Sequence, residues 1–176
     1  AGNLQRSDNT TFTAEITPTA PGTVTVNLPA ARATDLAGNP NTAASTFSIV
    51  YDNTLPAVNS IVRTTSSPTA ATSLTFSVTF TKNVTGVDPS DFTLTATGTA
   101  SGTVASTTGS DNTYTVTVNS VSGNGTLRLD LTDDDSIIDE AANPLGGAGT
   151  GNGSVTSGES STIAQIAPAP VISAPA

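Results

Sequence analysis

Six of the fourteen Asp and Glu residues of this chain crowd between Asp130 and Glu140: Asp130, Asp133, Asp134, Asp135, Asp139 and Glu140. Calcium takes about six to eight oxygen ligands from carboxylates, amide carbonyls and main chain at roughly 2.3–2.6 Å. The stretch D-D-D-S-I-I-D-E-A-A-N offers such oxygens within one loop, with Asp133, Asp135, Asp139 and Asn143 as the candidate ligands. The spacing is not that of an EF-hand, and the central glycine of that loop is missing. The competing reading is a solvated acidic loop that aids solubility and binds nothing. Alternation places Asp130 outside this set, pointing outward from a strand.

Asp35 and Asn39 repeat the spacing of Asp139 and Asn143. They are a second candidate pair for a cation. They are equally well read as a local turn, because Asp and Asn side chains bond their own main chain and tolerate left-handed conformations. Asp52, Asp88 and Asp91 form a further acidic set near a join between segments. Catalytic chemistry is poorly supplied. The chain has no His and no Cys, so its serines have no imidazole partner and no thiolate is available. Paired carboxylates can hydrolyse glycosides, but these acids cluster in one loop, and the five Phe and two Tyr are needed for a core. One Lys and four Arg against a net charge of -9 cannot form a phosphate-tracking stripe, so nucleic acid is not an expected partner. GAGTGNG has no following Lys and does not read as a phosphate loop. Four Asn-X-Ser/Thr sequons begin at Asn9, Asn83, Asn124 and Asn152, in a chain rich enough in Asn, Ser and Thr to produce them by chance.

The elements that must carry these residues occur twice. Residues 11–40 read TFTAEITPTAPGTVTVNLPAARATDLAGNP, and residues 113–144 read TYTVTVNSVSGNGTLRLDLTDDDSIIDEAANP. Phe12 aligns with Tyr114, Ile16 with Val118 and Gly22 with Gly125. Val24, Val26 and Leu28 fall on Leu127, Leu129 and Leu131, while Asp35, Asn39 and Pro40 fall on Asp139, Asn143 and Pro144. Self-similarity of this kind marks a repeat architecture. Strand-like sequence over residues 56–107 precedes only the second copy, so the expectation is a window onto a tandem array that opens partway through one unit. With no initiator Met and no signal peptide, the chain reads as a segment of something longer.

Apolar residues recur with a period of two, which predicts strands with one buried face. The stretches are 11–17, 23–28 and 46–51 in the first copy, then 58–63, 73–82, 91–97, a weaker one at 101–107 around Val104, 113–120, 126–131 and 161–166. Leu74, Phe76, Val78 and Phe80 make the clearest inward row. Thr and Val suit pleated strands, and Gly, Asn, Asp and Pro suit turns. The reading is all-β. Residues 1–53 form the carboxy-terminal half of an immunoglobulin-like β-sandwich, residues 54–166 one complete unit, and residues 167–176 a Pro/Ala linker or the opening strand of a next unit. No apolar run approaches the roughly 20 residues that cross a bilayer.

The stretch VTFTKNVTGVDPSDFTL, followed by TYTVTV, GTLRLDL and D-x-A-x-N-P, resembles the bacterial Ig-like repeats of giant secreted or surface adhesins. Residues 11–50 resemble the carboxy-terminal half of a sister repeat. The chain departs from the pattern at Lys82, where such repeats often carry an acid, and at Ala142, where a glycine is expected. The resemblance implies an extracellular or cell-surface, non-catalytic role as a stalk or spacer, with calcium stiffening. It also implies neighbouring Ig-like units, of the same chain or of identical chains, as partners. The alternative is a subunit of an extracellular filament or sheath: a homopolymer assembled head-to-tail by strand complementation between copies, with Val171 and Ile172 as donor residues.

Overall fold

In the computed structural model, residues 4–8 and 10–165 are described, and they divide into two compact units, 1–54 and 55–176. The stretch 167–176, Ile166 and the sequon asparagine Asn9 lie outside the described residues.

Among its described residues, unit 1 contains four short strands. β1 (Leu4–Arg6) pairs antiparallel with β2 (Phe12–Ala14), and β3 (Gly22–Val26) pairs antiparallel with β4 (Phe47–Tyr51). Asp8 turns the first hairpin by accepting the main-chain N–H groups of Thr10 and Thr11 at 2.7 and 2.8 Å. The long loop between β3 and β4 is stapled by Asn41, whose Oδ1 accepts from the N–H groups of Arg32 and Ala33. Most of the apolar side chains of this unit remain exposed, among them Phe12, Leu28, Phe47 and Ile49.

Unit 2 begins with β5 (Val58–Arg63) and β6 (Leu74–Phe80), then β7 (Val84–Thr85), a 3-10 turn at Pro89–Asp91 and β8 (Phe92–Ala96). It continues through β9 (Ser101–Ser110), β10 (Thr113–Ser122), β11 (Asn124–Leu131), β12 (Ile138–Asp139) and β13 (Ser160–Ala164). One sheet has the order β5-β6-β10-β9 and the other β13-β11-β8. Setting aside the short pair β12-β7, this is the four-plus-three strand order of a constant-type immunoglobulin sandwich. The core lies between the sheets. Leu74, Phe76, Val78 and Phe80 of β6 meet Val116 and Val118 of β10 and Leu127, Leu129 and Leu131 of β11. Each fully buried Val or Leu contributes roughly 1.5–3 kcal/mol, which is how a chain with few aromatics closes this unit. Phe80 and Tyr114 meet edge to face at 5.9 Å, and the Tyr114 hydroxyl donates to the Val84 carbonyl at 2.7 Å.

The alternating row at 73–82 becomes β6, and 58–63 becomes β5 without change. The weak strand at 101–107 is in fact ten residues long, because β10 offers it a full partner edge. Asp130 points outward from its strand as alternation places it, yet it is not solvated. It is buried on the outer face of β11, covered by Arg128, which donates to it at 2.6 and 3.0 Å, and bonded by the Thr95 hydroxyl. The hydrogen bonds with Arg128 and Thr95 hold its carboxyl below the usual range against the opposing effect of burial.

Candidate functional site

The two D…N segments fold as the same turn. Asp139 Oδ1 accepts the N–H groups of Ala141 and Asn143, both at 2.9 Å, and its Oδ2 accepts from Asn143 Nδ2 at 3.1 Å. Asp35 Oδ1 accepts the N–H groups of Ala37 and Asn39, and its Oδ2 accepts from Asn39 Nδ2, all at 2.9 Å. The main chain closes both turns in the same way, with the Asp N–H donating to the Asn carbonyl at 3.1 and 3.0 Å. An isolated bridge flanks each, Ile138 with Pro144 and Thr34 with Pro40. The fourth residue takes a left-handed conformation, φ +62° at Ala142 and +85° at Gly38. Glycine adopts that region without strain and alanine does not.

The surroundings differ. Asp35 is exposed, and the Asn39 side chain and main chain lower its carboxyl pKa. Asp139 is buried and receives the ammonium of Lys82, from the turn that follows β6. Burial works to raise the Asp139 carboxyl, but the Lys82 ammonium and the donors of Asn143 and Ala141 outweigh it and hold the pKa at about 2. The next residues reinforce the contact, with Asn83 Nδ2 donating to Glu140 Oε1 at 3.3 Å.

The remaining candidates use their oxygens on the glycine-rich stretch that follows. Asp133 is buried: its Oδ2 accepts from Gly153 N–H at 3.0 Å, and its Oδ1 from Asp135 N–H at 3.2 Å. Both oxygens of Asp135 accept from Gly149 N–H. Gly151 N–H donates to the Asp133 carbonyl at 2.9 Å, and Asp133 N–H donates to Ser154 Oγ at 2.9 Å. The glycines thus wrap the acidic loop with main-chain donors, as a nest of N–H groups does for an anion. Asp91 is buried at the carboxy-terminal end of the 3-10 turn. Burial raises its carboxyl, and it accepts from Asp88 N–H at 2.7 Å and the Ser136 hydroxyl at 3.0 Å.

The structure therefore brings Asp139 together with Asn143 and Asp35 together with Asn39, while Asp133 and Asp135 hold the glycine-rich stretch. Calcium needs free oxygen lone pairs converging on one point. At Asp139 both oxygens are taken by N–H donors and by a fixed positive charge, and Asn143 presents its NH2 group. This donor set does not fit a calcium ion. Among the described residues no group of three or more acidic side chains converges to hold a metal. The role of the glycines was hidden in the sequence, since GGAGTGNGS carries no motif that names a partner. Lys82 was visible as a departure from the pattern, without its partner.

The model of the bacterial Ig-like domain family matches residues 1–51, the span of unit 1. No curated protein and no solved structure matches the chain. Among the described residues no helix is long and apolar enough to cross a membrane.

Proposed function

We propose that this chain is a non-catalytic structural segment of an extracellular array of bacterial Ig-like units, serving as a stalk or spacer at a cell surface. The observation that carries this reading is the duplication of a strand pair and its turn. β3–β4 pairs Gly22 with Tyr51 and Val24 with Ile49, and β11–β13 pairs Gly125 with Ile163 and Leu127 with Ser161. Both pairs are antiparallel and carry the equivalent glycines Gly22 and Gly125 at their opening end, and the same Asp…Asn turn follows β3 and β11. Two units of one design in a single chain support a repetitive, load-bearing role, and carboxylates committed to turns and nests support a structural use of the acids. A fold hosts many functions, so the family likeness alone would not suffice.

Pulling the full chain by its ends in single-molecule force spectroscopy tests the reading. Unit 2 is expected to resist and then release in one event, with about 3.4 Å of length gained per freed residue. Gradual lengthening without a distinct force peak would overturn the spacer role. The filament alternative is supported by a different observation, the uncovered apolar face of unit 1.

A further inference from the structure

The strands of unit 1 are those of the second half of unit 2. β2 corresponds to β10 and β3 to β11. Each keeps an antiparallel partner on its other edge, β1 on β2 as β9 on β10, and β4 on β3 as β13 on β11, although Phe12 faces Arg6 across a hairpin one residue longer than that between Tyr114 and Gly109. What differs is cover. Phe12 is 58% exposed and Tyr114 8%; Ile16 is 38% and Val118 0%; Leu28 is 48% and Leu131 0%. Ala14, Ile16, Val24, Val26, Phe47 and Ile49 line a groove of about 290 Å³.

Unit 2 shows what covers this surface. β6 adds to β10, placing Val78, Phe76 and Leu74 opposite Tyr114, Val116 and Val118. β8 adds to β11, placing Ala96, Leu94 and Phe92 opposite Leu127, Leu129 and Leu131. Among the described residues the corresponding edges of β2 and β3 are unpaired. Gly125 and Gly22 carry the same message. A Cβ at Gly125 would stand 2.0 Å from the Thr97 carbonyl oxygen just beyond β8, whereas one at Gly22 would meet nothing within 4 Å. The second unit keeps its glycine under a neighbouring strand, and the first keeps it under open space.

We propose that unit 1 is a receptor for the amino-terminal half of a sister bacterial Ig-like unit. One antiparallel strand of β6 pattern docks on the free edge of β2, with its inward residues opposite Phe12, Ala14 and Ile16. A second strand of β8 pattern docks on the free edge of β3, with its inward residues opposite Val24, Val26 and Leu28. Main-chain ladders supply affinity and the alternate side chains fill the groove. The proposal rests on the duplication, while the pulling experiment reads unit 2, so the two fail separately.

The test fuses a second copy of residues 56–97 through a flexible Gly/Ser linker ahead of the full chain. A new cooperative thermal transition is expected beside that of unit 2, with amide exchange on β3 slowed at least tenfold. Val26→Asp with Leu28→Asp should abolish the new transition and leave that of unit 2 in place. A fusion with no new transition and unchanged β3 exchange would overturn the proposal, as would a transition that survives the double substitution. Concentration-dependent dimers of the unfused chain, lost in the same double variant, would make a second copy the occupant and also overturn it.

Discussion

The turn at Asp35 and the turn at Asp139 share every internal hydrogen bond, yet one is exposed and the other is buried beneath a lysine. β3 and β11 likewise each pair antiparallel with a later strand, and only β11 lies inside a core. The contrast separates two levels of cause. Turn chemistry and strand alternation are local, and they produce the same hairpin with or without a covering layer. Burial is not local, since it requires β6 and β8, which belong to unit 2. The turn and the strand pair therefore form without the core that buries their counterparts.

The sharpest way to break the comparison is to cut equivalent side chains. Leu129→Ala removes a fully buried side chain and is expected to cost about 2–5 kcal/mol in urea unfolding of unit 2. Val26→Ala, at the equivalent site, should stay within about 0.5 kcal/mol. Equal losses at the two sites would mean that the face of unit 1 is already covered.

Lys82→Ala follows in size. It leaves the buried Asp139 carboxylate without its cation, an expected loss of about 1–3 kcal/mol at neutral pH for a pair that keeps some access to water. The Asp139 carboxyl is depressed from 3.8 to about 2. A depressed carboxyl gives stability that is present above its ordinary value and lost as pH falls through the folded value. The wild-type chain should therefore shed this contribution between about pH 4 and pH 2. The variant should show a higher Asp139 pKa by carboxyl NMR titration and less of this acid-dependent loss. An unchanged titration would remove Lys82 from the account.

Ala142→Gly is the smallest change. It relieves a left-handed alanine and should gain about 0.5–1 kcal/mol. Gly38→Ala, in the matching turn of unit 1, should speed amide exchange at Asn39. A loss of stability at Ala142→Gly would indicate that the methyl group packs usefully.

The rows at Leu74–Phe80 and Thr113–Ser122 were legible because their signal is contained within the strand itself. So was the equivalence of Asp35 and Asn39 with Asp139 and Asn143, from spacing alone. The rest depended on contacts between distant positions. Nothing near Val84 announces that it pairs with Asp139. Asp130 looks outward by alternation and is buried there beneath Arg128 and beside Thr95 of β8. The glycines at 149, 151 and 153 carry no side chain to signal a role, yet their N–H groups hold the acidic loop. Charge counting left a captured ion and a solvated loop both open, and in the fold main-chain N–H groups and Lys82 meet these carboxylates.

The positive charge at Asp139 is tethered to the polypeptide. Its effective concentration at the carboxylate is set by a covalent path and does not fall on dilution, dialysis or chelation. A turn braced in this way keeps its shape in water depleted of divalent ions, where a joint dependent on captured metal would slacken.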